Sequence, residues 1–237
     1  MFESNSVRIE ATRAQRHRAV TKWGDRQQRR IDILEAARAR IADGGYLALN
    51  MRDLAAGAGV SPGTLYSYFA TKEELFATLY AEAIRAYTEA FGPVAEAGLG
   101  LADLLREIIG RYLDLYRTYG RHFTLWSAMR HDPDPETGAA ANFPPELILE
   151  LRAATHEHGR QQMQAIRAAA ALDGREVVDE KLVPSFLWSV LNGLADHFTS
   201  ERRTLDPFPA ERLVGFSAER LALAITEPTE EPGRDPA

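Results

Sequence analysis

One stretch, residues 50–74, constrains the fold of this chain more than any other, because it holds the boundary signals of short helices joined by a tight turn. Asn50 is a favourable N-cap for the first helix, and Leu54 and Ala55 lie on its apolar face. Gly59 follows where the helix ends, and glycine adopts the positive φ of such an end without a Cβ penalty. The stretch therefore predicts a short helix that stops abruptly.

A second short helix is predicted directly after this glycine. Ser61 is a favourable cap, and Pro62 takes the first helical position, where the N–H has no intrahelical partner to lose. Leu65 and Phe69 are four residues apart and are expected to face inward. The following sequence Thr71-Lys-Glu-Glu predicts a capping box that opens a third helix. Helices joined in this way form a helix-turn-helix.

This pattern resembles the DNA-binding domain of the TetR family of transcriptional regulators over roughly residues 29–79. Three strings carry the resemblance: Gly-Val-Ser before the second helix, Thr-Leu-Tyr-x-Tyr-Phe along it, and Thr-Lys-Glu-Glu-Leu after it. The resemblance implies an all-α protein. In such a protein an N-terminal three-helix helix-turn-helix domain is joined by a long helix to a helical body that binds a ligand and forms the dimer.

Four regions are expected along the chain: a basic mobile arm (1–28), the helix-turn-helix domain (29–74), the helical ligand-binding and dimerisation domain (75–226) and a disordered tail (227–237). Charge is distributed unevenly among them. Residues 1–72 carry 12 Lys/Arg and 7 Asp/Glu, although the whole chain has 28 and 34. A basic front on an acidic body suits a protein that turns one end toward phosphate. The arm is either a solvated tail or a segment that follows phosphates or enters a minor groove.

Apolar periodicity predicts helices along most of the chain between its two ends, and no segment shows the alternation typical of a strand. Leu47 and Leu49 are expected to close the core of the first domain. The fourth helix should end near Phe91, before Gly92-Pro93, and is long enough to act as a rigid connection. The predicted helices outside the helix-turn-helix are 29–43, 72–91, 101–119, 121–130, 145–171, 184–200 and 213–225, with a loop at 132–145.

The TetR resemblance also implies that the partner is double-stranded DNA, a palindromic operator that two recognition helices bind. It further implies which residues contact this DNA. The residues implied are Arg52 on the first helix of the motif, Ser61, Pro62, Gly63, Thr64, Tyr66 and Ser67 near bases or the adjoining backbone, and Tyr68 and Lys72 on phosphates. Tyr68 has an alternative role as a core residue. The N-terminus of the helix that Lys72 opens would favour a phosphate there.

A small-molecule effector and a homodimer are expected for the body. The candidate ligand-binding residues, which could also be ordinary core, are Leu105, Tyr112, Tyr116, His122, Phe123, Trp126, Met129, Met163 and Phe186. Their aromatic rings with polar tips suit a hydrophobic ligand with a few oriented hydrogen bonds. By the resemblance, the last two helices would form the dimer, and its candidate residues are Trp188, Asn192, Gly193, Ala195, Leu213 and Phe216. The alternative for helix 184–200 is complete burial within one chain.

Other classes of protein are disfavoured. The chain has no cysteine, which excludes disulfides and thiolate sites and fits a reducing cytoplasm, and no apolar run is long enough to span a membrane. His156 and His158 are two residues apart, so on a helix they diverge and cannot share one metal ion. No nucleophile motif or phosphate-cradling loop appears, so neither an enzyme nor a cofactor is expected. The expected function is a ligand-responsive regulator, most often a repressor in this family. An architectural or partner-controlled DNA-binding protein without a small-molecule ligand is the alternative.

Overall fold

The computed structural model describes residues 26–120, 144–205 and 207–229, with the side chain of Arg202 left out. The described residues fall into two compact units, the first ending at Leu79 and the second beginning at Tyr80. Several predicted segments lie outside the described residues: the arm up to residue 25, the helix 121–130, the loop as far as residue 143 and the tail from residue 230.

Helices account for nearly all of the regular structure, and the all-α prediction is confirmed. The helices are α1 (residues 26–44), α2 (Met51–Gly57), α3 (Pro62–Tyr68), α4 (Lys72–Ala95), α5 (Leu101–Tyr119), α6 (Pro145–Leu172), α7 (Val183–Thr199) and α8 (Ala210–Ala224), with short 3-10 helices at Tyr46–Ala48 and Glu201–Leu205. The described residues also form two short strands, β1 (Arg175–Val177) and β2 (Thr226–Pro228).

The core of the first unit is built from the inward faces of α1 to α4. Its completely buried side chains include Ile33, Leu65 and Phe69. Leu49 is buried as expected, but Leu47 is 81% exposed, so its predicted place in the core is wrong. In the tight 3-10 turn that begins at Tyr46, consecutive side chains point in different directions, and it is Tyr46 whose ring packs against α4. Helix α1 already includes residues 26–28, which were assigned to the arm.

The helix α4 passes through Gly92 and Pro93 and ends at Ala95, so the break predicted at Gly92-Pro93 is wrong. A proline usually displaces the preceding residue from helical geometry, because its Cδ meets that residue's Cβ. The preceding residue here is glycine, which has no Cβ and can remain helical. The turn comes later, at Gly98, whose φ is +65°.

The central helix of the second unit is α5, which packs against α6, α7 and α8. Its buried face includes Leu104, Leu105, Ile108 and Ile109. The first turn of α5 is capped from a distance, because the Asp173 carboxylate at the end of α6 accepts a hydrogen bond from the Leu101 amide at 2.8 Å. Among the described residues, no helix is both long enough and apolar enough to cross a membrane.

A small antiparallel sheet joins the end of the chain to the segment after α6. Arg175 pairs with Pro228, and Val177 pairs with Thr226. The Arg175 guanidinium also donates to the Thr226 hydroxyl at 2.7 Å and to its carbonyl at 2.9 Å. Glu227 and Pro228 therefore lie in a strand, although the sequence assigned them to the tail. Strands of three residues are too short to produce a recognisable alternation.

Candidate DNA-binding surface and effector site

Local hydrogen bonds fix both ends of α2 and thereby the turn that leads to α3. The Asn50 side chain accepts from the amides of Arg52 and Asp53, at 2.9 and 3.4 Å. At the other end of α2, Gly59 has a φ of +65°, its amide donates to Ala56, and the next amide, of Val60, donates to Ala55. These two bonds define a Schellman motif. The abrupt stop predicted from Gly59 is present, and it sets the direction in which α3 starts.

The helix α3 buries one face and presents the other. Leu65 is buried, whereas Tyr66 is 49% exposed. Pro62, Gly63 and Ser67 are exposed as well. The structure thus brings most of the implied base-contacting residues onto one outer surface of the first unit.

Two of the implied residues, Ser61 and Thr64, form hydrogen bonds with each other. The Ser61 hydroxyl accepts from the Thr64 amide at 3.1 Å, and the two side-chain oxygens lie 2.9 Å apart. Ser67 donates its hydroxyl to the Thr64 carbonyl at 2.7 Å. Among the hydroxyls of α3, that of Tyr66 stands out as the exposed group with the longest reach. Arg52 is also exposed, on α2.

Cations pack on aromatic rings beside α3. The Arg26 guanidinium lies 5.7 Å from the centre of the Tyr68 ring, and the Arg30 guanidinium lies 5.4 Å from that of Phe69. Lys72 Nζ lies 4.0 Å from the centre of the Tyr46 ring. Burial lowers the pKa of Lys72, and the neighbouring Glu73 carboxylate opposes this shift. The sequence did not predict these contacts of Arg26 and Tyr46, because their partners are distant along the chain.

The start of α4 confirms half of the predicted capping box. The Thr71 hydroxyl accepts from the Glu74 amide at 3.0 Å. The Glu74 carboxylate, however, accepts from the Ala70 amide at 2.8 Å, one residue before the cap.

In the second unit, the tyrosines of α5 form hydrogen bonds with α7. The Tyr112 hydroxyl donates to Asn192 Oδ1 at 3.0 Å, and the Tyr116 hydroxyl donates to Asp196 Oδ1 at 2.6 Å. The Trp188 ring meets Tyr112 edge-on, with ring centres 5.9 Å apart. Residues chosen as ligand contacts therefore touch Trp188 and Asn192, which were chosen as dimer contacts.

The remaining predicted ligand residues differ in exposure. Leu105 is completely buried, Met163 is half-buried, and Phe186 is 43% exposed. His122, Phe123, Trp126 and Met129 lie outside the described residues.

Two interior nitrogens have no hydrogen-bond partner among the described residues: His158 Nδ1 on α6 and Arg111 Nε on α5. Arg111 Nε does form an ion pair with Glu107 Oε2, at 3.6 Å. The His158 ring lies edge-on to Tyr87 and Phe91, with ring centres 4.7 and 5.9 Å apart.

Burial shifts the acidity of this group of side chains. It lowers the pKa of His158 to about 4, so the imidazole is neutral at pH 7. Burial also raises the pKa of Tyr87 to about 12, and the Arg111 guanidinium opposes that shift. The Tyr87 ring therefore borders His158, and its hydroxyl lies within electrostatic range of the Arg111 guanidinium. No motif in the sequence identified them, since each looks like an ordinary helix residue.

The predicted dimer residues do not all remain accessible. Ala195 is completely buried within one chain, so its predicted role in the dimer is wrong. It lies one turn after the buried Leu191 and belongs to the inner face of α7. Gly193 is exposed, Phe216 is 60% exposed, and Leu213 is half-buried.

Comparisons with known proteins agree with this geometry. The sequence model described as "Bacterial regulatory proteins, tetR family" matches residues 33–79. The HTH-type transcriptional repressor Rv1474c of Mycobacterium tuberculosis is 31% identical over 172 residues, which cover 73% of this chain and 83% of that protein. The chain belongs to the TetR family. As a TetR-family protein it is a DNA-binding transcriptional regulator and not an enzyme.

Other TetR-type proteins resemble it over shorter stretches or in fold alone. The repressor KstR2 of M. tuberculosis is 46% identical over 52 residues, or 22% of this chain and 26% of that protein. FadR of Bacillus subtilis, 18% identical, superposes with a TM-score of 0.56 over 82% of this chain and 98% of its own. PfmR of Thermus thermophilus, 21% identical, has a TM-score of 0.54 over 81% and 97%. Regulators of the TetR family bind DNA and act as dimers with small-molecule effectors.

Proposed function

We propose that this TetR-family protein is a cytoplasmic repressor that binds a palindromic operator as a homodimer and leaves it when a largely apolar effector binds the second unit. The observation that carries the DNA-binding part is the exposed outer face of α3, held by the caps at Ser61 and Gly59. The family relatives Rv1474c and KstR2 are named as repressors, which supports repression over activation.

Each implied DNA contact has a separate role in this proposal. Tyr66 reads base edges or the thymine methyl from the exposed face of α3, because its ring is apolar and its hydroxyl can donate or accept. Lys72 and Arg52 neutralise phosphates and fix the register of the helix on the duplex. Arg26, held on Tyr68, adds a third phosphate contact. Pro62 and Gly63 let the backbone approach the groove closely.

Two chains are needed because one short helix reads few base pairs. A two-fold pair places its recognition helices in half-sites about 34–36 Å apart. We assign the partner face to the exposed side of α7, where Phe186, Ser189 and Gly193 follow one another at helical spacing. Phe216 and Leu223 form a similar exposed apolar pair on α8, seven residues apart.

We place one end of the effector site beside Tyr87, Arg111 and His158. Most buried polar groups in proteins form hydrogen bonds, so His158 Nδ1 and Arg111 Nε, which form none with the described residues, favour a missing ligand. Arg111 can only donate, and therefore the effector carries a hydrogen-bond acceptor such as a carbonyl or carboxylate oxygen. The apolar surroundings suit a hydrophobic remainder. The B. subtilis FadR, which shares the fold, was crystallised with stearoyl-CoA, a ligand of this general class.

Effector and operator select different states of the protein. By linkage, each weakens the binding of the other by the same factor, commonly about 5–150-fold. The helix α4 starts in the first unit and ends in the second, so a change in its tilt is the simplest connection between the two sites.

The decisive experiment for the DNA-binding part is selection of binding sites from random duplex DNA at a stated salt concentration. A palindromic consensus with half-sites one helical turn apart is expected. Tight binding without any sequence preference would refute the repressor and favour an architectural DNA-binding protein.

The effector part is tested by operator release with apolar compounds that carry a carboxylate, a carbonyl or no polar group. Only compounds with an acceptor oxygen should release the operator, and Arg111→Met should blunt their effect. Arg106→Met is the matched control, because Arg106 is exposed on the same helix and pairs with Asp103. Equal release of the parent and Arg111→Met proteins would refute the placement of the site.

A further inference from the structure

Tyr46 separates a cation from an anion at the start of α4. Lys72 Nζ lies over the face of its ring, 4.0 Å from the ring centre. At the edge of the same ring, the hydroxyl donates a hydrogen bond of 2.6 Å to Glu73 Oε1. The ring itself is held by an edge-on contact with Phe76, with ring centres 5.0 Å apart.

We propose that Tyr46 is a positioning residue for DNA binding: its face presents the Lys72 ammonium to a phosphate, and its hydroxyl keeps the Glu73 carboxylate away from that ammonium. This inference rests on the proposed phosphate contact of Lys72. It adds a residue outside the helix-turn-helix motif, 26 positions before the lysine that it orients.

A device of this kind is needed because Lys72 and Glu73 are consecutive on the first turn of α4. The Glu73 carboxylate attracts the Lys72 ammonium, and an ion pair between them would compete with any phosphate for the ammonium. Protonation does not neutralise the carboxylate, because the hydrogen bond from Tyr46 lowers the pKa of Glu73. Its charge must instead be held at a distance.

The aromatic ring accomplishes this separation through its shape. A cation is attracted to the face of the ring by the ring quadrupole, whereas the hydroxyl lies in the ring plane and binds an anion there. The hydroxyl keeps its proton, because burial, followed by the Glu73 contact, raises the pKa of Tyr46. Lys72 is half-buried in this position, so it loses less rotamer freedom when it meets DNA than a fully solvated lysine does.

The test is a pair of double-mutant cycles measured on a random-sequence DNA duplex, so that no operator is required. Tyr46→Phe keeps the ring and frees Glu73, and it should weaken binding roughly 5-fold per chain, the upper size of an exposed ion pair between Lys72 and the freed carboxylate. In the Glu73→Gln background the same Tyr46→Phe change should have no effect. Glu35→Gln, on an exposed carboxylate of α1, is the matched control and should leave the 5-fold loss in place.

The second cycle tests the ring face. Tyr46→Leu should weaken binding when Lys72 is present and should cause no further loss in the Lys72→Gln background. Lys72→Gln should also lower the slope of log K against log salt by about 0.9 per chain, as expected for one phosphate contact. A merely structural Tyr46 would weaken binding equally in all backgrounds.

Effects of the Tyr46 variants that are independent of Glu73 and Lys72 would overturn the inference while leaving DNA binding itself intact. Failure of the parent protein to bind any duplex would instead refute the proposed function and the inference with it. Thermal unfolding of each variant shows whether it folds. If Tyr46→Leu does not, the Tyr46→Phe cycle decides alone, because that variant retains the packed ring.

Discussion

Replacement of His158 by phenylalanine should make the free protein more stable. His158 is mostly buried, and its Nδ1 has no hydrogen-bond partner among the described residues. Phenylalanine keeps an aromatic ring beside Tyr87 and Phe91 and removes both nitrogens. Its removal therefore relieves a buried polar atom that has no hydrogen-bond partner in the described part of the chain.

The magnitude follows from two effects. An unsatisfied buried polar group costs about 1–3 kcal/mol of folding free energy, which His158→Phe recovers. The larger six-membered ring offsets part of this stabilisation, because it must fit into the space of an imidazole. At pH 7 we therefore expect a net stabilisation of about 1 kcal/mol. The second effect depends on pH, since His158 has a pKa of about 4 in the folded protein and one of about 6.5 when unfolded.

The sign of the pH effect is fixed by this depressed pKa. Between pH 6.5 and 4 the unfolded chain binds a proton at this position and the folded chain does not, so stability falls as the pH falls. The two pKa values correspond to a loss of about 3 kcal/mol from this residue, complete below pH 4. His158→Phe should abolish that contribution, so its stability advantage over the parent should grow as the pH is lowered.

Urea denaturation at pH 7 and at several values down to pH 4 measures both effects in one series. His156→Phe is the control, because His156 is exposed on the same helix and should show neither effect. The reasoning is refuted if His158→Phe is less stable than the parent at pH 7, since the nitrogen would then have a structural partner. It is also refuted if the two proteins lose stability in parallel between pH 6.5 and 4.

Three further predictions concern the DNA-binding unit and the end of the chain. Tyr66→Ala and Lys72→Ala should each weaken operator binding by about 1–3 kcal/mol while gel filtration still shows a dimer; parental affinity in either would contradict the proposed surface. Gly59→Ala should cost about 1–2 kcal/mol in thermal unfolding, because space is open but φ is +65°. Gly57→Ala should instead stabilise the protein by about 0.5–1 kcal/mol, because residue 57 is helical and a Cβ there meets open space. If Gly59→Ala and Gly57→Ala changed the stability equally, the backbone conformation of Gly59 would not be the cause. Arg175→Met removes two hydrogen bonds to Thr226 and should speed hydrogen exchange of the β2 amides; unchanged exchange would show that the sheet alone holds the strand.

Sequence reasoning went furthest where the determining interactions are local. Asn50, Gly59 and Ser61 form their decisive hydrogen bonds within five residues along the chain, so the helix ends could be predicted from spacing. The same is true of the helices α5 and α6, whose observed bounds lie within one residue of those predicted. The family strings in residues 59–75 indicated the function class for the same reason, because α3 presents its outer face through these local caps.

Sequence reasoning failed where a residue's role depends on what covers it. Apolar periodicity shows which face of α7 is hydrophobic but not which neighbour lies against it, so Ala195 was assigned to a partner chain instead of the core. The end of α4 was misplaced because the rule for proline ignores the permissive glycine before it.

The sequence by itself determined the helix-turn-helix, its caps and the family to which the chain belongs. Only the tertiary structure decided that Tyr46 lies between Lys72 and Glu73, that Tyr112 bonds to Asn192 across 80 residues, and that the His158 nitrogen is left without a described partner. The physical reason is the range of the interactions. A cap is specified by residues that the chain keeps adjacent, whereas burial and pairing of distant side chains exist only after the helices have packed.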